Sequence, residues 1–470
     1  MLGRVFKAYD IRGTYPDLLT DQMAWQIGYG VARFLLEDAE AAGETTPMMR
    51  NIVVGRDMRT SSPKLTEELI AGITARGASV IDLGLIDTSF LYFAINHLDC
   101  AGGVMVTASH NPPKYNGFKV AKRNAKPVGE ATGLAEVRKF AAMADRQQIG
   151  KGEEGRVEQR DLWDAYREHV LSFCDLSGRR LKVVVDASNG MAGTMCPAVF
   201  GKKGANVEGL DIIELNYEND TGEFVHEPNP LVAANLAQVR EATVEHKADF
   251  GVCFDGDADR LVVGDAGGDP VGCDHLTAAL CDHFLKRAPG AGVAYDLRST
   301  NAVRESIEAA GGRPVRSRVG HVFMKQAMAE HDCVFGGELS GHFYFRDNFN
   351  AYSGAIALAT VLTVLGETGG TLRELVAPAK RYAQSGEINF ENEEKDESIA
   401  ALKEEFAGRG SIDELDGVTI NCFETEGWWA NIRKSNTEPL LRLNAEAKTP
   451  GGLESALEEL TPMLGVRVEH

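Results

Sequence analysis

The sequence predicts an α/β protein: three related α/β domains built on mixed sheets, followed by a smaller C-terminal α+β domain. Three observations carry this. Short runs rich in Val, Ile and Phe alternate with longer segments of helical period, the pattern of βαβ units. Chemically active residues cluster just after those runs, where open α/β sheets bind their ligands. Two polar stretches, 146–161 and 384–400, break the chain, and the rhythm changes after the second.

The strands are read at Asn51–Gly55, Val104–Val106, Val183–Val185, Phe250–Phe254, Val293–Tyr295 and Val334–Phe335. Between the first two lies a helix. Ser62 is read as its cap and Pro63 as its first turn; Leu65, Leu69 and Ile73 share a face, and Gly77 stops it. Ser299–Gly312 repeats that pattern. The apolar segment Gly354–Gly366 is too short to span a bilayer and reads as a buried helix. Beyond residue 400 the expectation is a helix, strands around Val418–Phe423 and Trp428–Ile432, and a final helix; of the paired tryptophans, one is expected in the core and one at a strand edge. These two breaks, with a third boundary near residue 266 marked by the turn "GDAGGDPVG", give domains at 1–155, 156–266, 267–383 and 384–470.

Composition excludes several classes. At 470 residues the chain exceeds one core, and 44% hydrophobic with 25% charged residues is ordinary for a globular protein. A formal charge of −20 speaks against nucleic acid, whose binders carry basic surfaces, and against anionic membrane. An anionic small ligand would need Arg and Lys focused locally. Eight scattered cysteines with no C-x-x-C pair read as thiols of a reducing compartment. With no apolar signal core at the N-terminus, a cytoplasmic protein is expected, monomer or homodimer.

The chemistry is read from loops. "DGDADR", Asp255–Arg260, sets three carboxylates at alternate positions straight after a strand, a repulsive arrangement unless a hard cation sits among the oxygens. The same spacing also suits a solvated acidic turn. "TASHNP" places Ser109 and His110 at another strand exit, and "NGFK" adds Lys119. "GGELSGH" offers Glu338 and Ser340 for hydroxyls and His342 for a proton, or forms a plain hydrated loop. "RKSNTEP" brings Arg433, Ser435, Asn436 and Thr437, suited to a phosphate or to a helix cap. Arg12 stands beside Gly13, whereas Arg56 and Arg59 read as structural; His321 lies at a strand-to-helix junction.

In this order and at these separations the motifs resemble the α-D-phosphohexomutases, most nearly the bacterial phosphomannomutase/phosphoglucomutase group, over essentially the whole chain. The resemblance implies four domains around a central cleft. It implies a phosphorylated Ser109, with Asp255, Asp257 and Asp259 holding one Mg²⁺ per chain beside the Ser109 phosphoryl oxygen. Lys119, Arg260, Arg12 and His110 would flank the transferring group, Lys119 the first choice for proton transfer and His342 the second. Glu338 and Ser340 would contact the sugar, with His342 and His321 nearby, and Arg433, Ser435, Asn436 and Thr437 would hold the distal phosphate. The implied activity interconverts hexose 6-phosphate and hexose 1-phosphate, mannose or glucose, through a hexose 1,6-bisphosphate, with a phosphosugar as the only partner. A phosphoglucosamine mutase, an aspartate-nucleophile phosphatase and a silent sugar-phosphate-binding protein are the alternatives. Two departures stand out: Ser89 replaces the proline of a usual Thr-Pro pair, and "AYSGA" (351–355) lacks an Asp-Gly pair.

Overall fold

The computed structural model describes residues 2–147, 154–435 and 439–468. The chain forms two compact units, Met1–Val271 with Ser340–Arg373, and Gly272–Leu339 with Glu374–His470.

The first unit carries two sheets. In one, Ile11–Thr14, Tyr115–Lys122, Gly102–Val106, Asn51–Arg56, Ser79–Leu85 and Val157–Gln159 lie side by side in that order. The first three are antiparallel neighbours and the rest run parallel. Gly102–Val106 is buried throughout, as a continuous apolar run requires when helices cover both faces. The helix Ser62–Ala75 buries Leu65, Leu69 and Ile73 as expected. Ser62 is not its cap: Ser61 holds that position, and the Ser62 hydroxyl donates instead to Asp57. The serine is drawn into the buried polar group beneath the Ser109 loop, since Asn116 Nδ2 donates to it at 2.9 Å.

The second sheet orders Leu261–Asp265, Phe250–Phe254, Leu181–Asp186 and Leu210–Leu215. Leu261–Asp265 folds back antiparallel on Phe250–Phe254, with Phe254 opposite Leu261. That register forces Asp255–Arg260 into one tight loop. The helix Gly354–Thr368 is buried from Gly354 to Leu365, with Ser353 accepting from Ile356 N where the Asp-Gly pair is missing.

In the second unit, Arg313–Ser317, Gly292–Asp296 and Cys333–Gly337 are parallel. A separate antiparallel sheet orders Ser411–Asp413, Val418–Cys422, Trp428–Lys434, Leu440–Ala447, Ala383–Glu391 and Val466–Val468. Its core includes Phe390, Ile420, Trp428, Ile432 and Leu443. The polar stretch 384–400, read as a boundary, contains most of the strand Ala383–Glu391 and the start of the helix Lys395–Glu405; its polar residues are tolerated because much of that strand is exposed. One expectation is corrected here. Both tryptophans are buried, and Trp429 donates Nε1–H to Glu446. Adjacent strand positions face opposite sides, and here both sides are covered.

Among the described residues no single helix is long and apolar enough to cross a membrane, and all eight cysteines are unpaired.

Candidate active site

In the first unit the loop after Gly102–Val106 meets the loop after Phe250–Phe254. Ser109 is buried, and its Oγ donates to Asp255 Oδ2 at 3.1 Å. Its backbone is left-handed, φ 52°, which costs a non-glycine residue about 1–2 kcal/mol. Two features hold it there: Ser109 N donates to Thr107 Oγ1, and Arg59 grips the loop from below. Arg59 is 1% exposed, and all five of its guanidinium hydrogens are used. Nε donates to Asp57, Nη1 to the carbonyls of Pro112 and Tyr115, and Nη2 to those of Ser109 and Asn111. The reading of Arg59 as structural fits, but the structure it maintains is that of the serine loop. Gly256 permits the close approach, because a Cβ there would lie 2.5 Å from Ser109 O.

Asp255, Asp257 and Asp259 are fully buried, and one oxygen of each lies within 4.8 Å of the others. Asp255 Oδ1 is satisfied by the amides of Asp259 and Arg260. Lys119 Nζ donates at 2.7 Å to both Asp257 Oδ2 and Asp259 Oδ2. Asp257 Oδ1 and Asp259 Oδ1 have no hydrogen-bond partner, an expensive state for buried carboxylate oxygens. Three hard oxygen donors with two orphaned atoms, next to a serine hydroxyl, fit a divalent cation. Burial, then the neighbouring carboxylates of Asp259 and Asp257, push Asp255 well above the usual carboxylate range. Burial acts the same way on Asp259, but Lys119 and His342 outweigh it and hold its carboxyl low. For Lys119 burial opposes the charge, yet Asp257 and Asp259 raise its pKa above the ordinary lysine value.

The remaining residues close around this pair of loops. His110 Nδ1 lies 3.4 Å from Ser109 Oγ; burial, then Arg260, Arg12 and Lys119, push its pKa well down, so its imidazole is neutral. Arg12 reaches Asn111 and Asp10. His342 Nε2 lies 3.2 Å from Arg260 Nε, and its Nδ1 lies 3.0 Å from Ser340 Oγ. Asp259 Oδ1 lies 3.3 Å from the same Nε2.

Sequence reading missed Thr88. Its N–H donates to the Asp257 carbonyl and its hydroxyl to Asp257 Oδ2 at 2.6 Å. Asp87 caps the helix Thr88–His97 through Phe90 N, so a turn is made without the usual proline, while Ser89 Oγ is buried with no partner. Burial pushes the Asp87 carboxyl up to about 7 against that amide bond and the Tyr166 hydroxyl. A threonine three residues past the strand Ser79–Leu85 was the available signal.

In the second unit, Glu338 follows the strand Cys333–Gly337 and accepts from Gly320 N at 3.0 Å. His321 is the first residue of the helix His321–Glu330. Arg433 is the last residue but one of the strand Trp428–Lys434, and Ser435 N donates to Leu440 O. Asn436 and Thr437 lie outside the described residues. Arg298 and Glu387, which sequence reading passed over, stand beside Arg433.

A second ligand-like group, Asp186, His226 and Cys253, is closed by its own bonds. His226 Nε2 faces Asp186 Oδ2 at 3.0 Å and Nδ1 faces Glu227 O at 2.9 Å.

Comparison with known proteins now bears on this geometry. Four models described as phosphoglucomutase/phosphomannomutase, alpha/beta/alpha domains I, II and III and C-terminal domain, match residues 3–147, 164–268, 273–382 and 387–462. The chain belongs to this family. Among its relatives, phosphohexose mutases of Xanthomonas campestris pv. campestris are 38% identical over 464 residues, covering 98% of each chain. A phosphomannomutase of Escherichia coli strain K12 is 35% identical over 447 residues, 94% of each. A solved phosphoglucomutase/phosphomannomutase family protein of Burkholderia thailandensis superposes with a TM-score of 0.85 at 29% identity, over 99% of both chains. The family therefore spans both units and every loop described above.

Proposed function

We propose that the protein is a phosphohexomutase interconverting the 6- and 1-phosphates of mannose, glucose or both, with Ser109 as the phosphoryl carrier. The observation that carries this reading is the 3.1 Å contact of Ser109 Oγ with Asp255, in a buried pocket holding two more carboxylates and Lys119. A serine so placed is a poor nucleophile alone but a stable carrier in a site that neutralises phosphate charge. The relatives' names, phosphomannomutase and phosphohexose mutase, support the same activity.

The chain's own residues account for the steps. A hydroxyl of the sugar monophosphate attacks the phosphorus on Ser109. The bond to Ser109 Oγ breaks, a bond to the sugar oxygen forms, and the hydroxyl's proton leaves to a base. The product is a hexose 1,6-bisphosphate, which turns over and returns its other phosphoryl to Ser109. Lys119, Arg260 and Arg12 supply positive charge around the transferring group, and His110 flanks Ser109. Asp255, Asp257 and Asp259 would hold Mg²⁺ with the phosphoryl oxygen, and the ion would add charge where the loose transition state develops it. Lys119, 2.7 Å from Asp257 and Asp259, would neutralise charge and remain the first choice for moving the proton of the attacking hydroxyl, with His342 the second. Glu338 and Ser340 would read hydroxyls shared by mannose and glucose, with His321 beside them, and Arg433, Ser435, Asn436 and Thr437 would grip the distal phosphate.

Ser109→Ala tests this. Turnover of mannose 1-phosphate and glucose 1-phosphate should fall about a thousandfold or more while substrate binding changes only a few fold. Full turnover in the variant would end the carrier role. Faster wild-type turnover of glucosamine 1-phosphate than of either sugar would shift the substrate assignment.

A further inference from the structure

Three arginines of the second unit converge on one carboxylate. Arg433 and Arg442 are directly opposed on neighbouring strands, a like-charge pair that destabilises a sheet unless an anion lies between them. Glu387, on the adjoining strand, supplies it. Its Oε2 accepts from Arg433 Nη2 at 3.0 Å and lies 3.7 Å from Arg298 Nη1, and its Oε1 lies 3.5 Å from Arg442 Nη1.

The three cations differ in how firmly they are fixed. Arg298 is held by a forked bond to buried Asp296, with Nε and Nη2 at 3.1 and 2.9 Å. Arg433 is 9% exposed, and its Nε has no hydrogen-bond partner. Glu387 itself keeps 29% of its side chain exposed, and only its contact with Arg433 is as short as 3.0 Å. A buried guanidinium with an unused N–H, facing a half-open carboxylate, has capacity for a larger anion than the one it holds. A phosphate dianion offers three oxygens and forked geometry, which matches several guanidiniums better than one carboxylate does.

We propose that Glu387 is a built-in competitor for the distal phosphate, holding Arg298, Arg433 and Arg442 in place and yielding them to the phosphate when substrate binds. The inference rests on the mutase reading, because a mutase must grip each of two phosphates in turn and let go between. A carboxylate that moves back into the arginines lowers the cost of letting go. Glu338 and Asp416 add negative charge near Arg298 and Arg433 but are not shared among the three cations.

The sign of one binding change decides the matter. Calorimetry with inorganic phosphate on the full chain should show Glu387→Gln binding about tenfold more tightly than wild type, since a like charge has been removed at close range. Glu387→Ala should move the same way, and KM for hexose 1-phosphate should fall in both. The gain should vanish in an Arg433→Ala background, because the two residues act on one site. Unchanged or weaker phosphate binding in both Glu387 variants would make Glu387 a fixed scaffold and overturn the proposal, as would a gain that survives Arg433→Ala. Should Arg433→Ala alone leave phosphate binding untouched, the phosphate site itself is wrong and the proposal goes with it.

Discussion

Ser109 sits in a conformation it would not choose, and Arg59 is what keeps it there. Lysine at position 59 retains the charge but cannot donate to Asp57 and four carbonyls at once. Arg59→Lys should cost about 3 kcal/mol of stability, as breaking a buried network does. It should also lower kcat about a hundredfold with KM nearly unchanged, because the serine is displaced while the distal grip is untouched. A denaturation midpoint and steady-state kinetics check both; equal effects on kcat and KM would make Arg59 a general support. At this scale, residues whose chemistry lies in their own short motif were legible: Ser109, Lys119 and the aspartate trio. Thr88 was not, because its partner Asp257 lies 169 residues away. Arg59 was half legible: burial and charge suggested structure, but its target loop is 50 residues on.

Arg59 is in turn covered by a loop. The phenyl ring of Phe224 lies 5.2 Å from its guanidinium carbon, and a Cβ on Gly256 would come within 3.5 Å of Pro228. The segment between is fastened by Val225 N to Asn189 Oδ1 and by His226 to Asp186. The bond to Asp186 raises the His226 pKa, burial opposes it, and the Glu227 carbonyl adds to it. Because the folded value is raised, this stabilisation is complete below the ordinary histidine range and is lost as pH rises through the folded value. His226→Gln should therefore lower Tm relative to wild type most at about pH 5.5, with the gap narrowing above about pH 7. A gap independent of pH would show that the imidazolium is not the fastening. Elements with apolar cores, such as Phe250–Phe254, were readable from their residues. The strand Ala383–Glu391 was not: a half-exposed strand alternates polar residues and imitates a linker.

Over the whole molecule, a chain of charge −20 gathers its cations where phosphates would lie. Lys119, Arg260 and Arg12 stand at one place in the first unit, and Arg298, Arg433 and Arg442 at another in the second. The order of four motifs along the chain revealed the family because each is local and their sequence is fixed. The segment "GELSGH" crosses from one unit to the other between Leu339 and Ser340, which no local pattern signals. The roles assigned to all these groups depend on Ser109 storing a phosphoryl group. Intact-mass analysis of the purified enzyme, treated with glucose 1,6-bisphosphate and followed by peptide mapping, reads this directly. One phosphate on Ser109, stable to hydroxylamine, is the predicted result; a hydroxylamine-labile phosphate on Asp255, or none on Ser109, would contradict it.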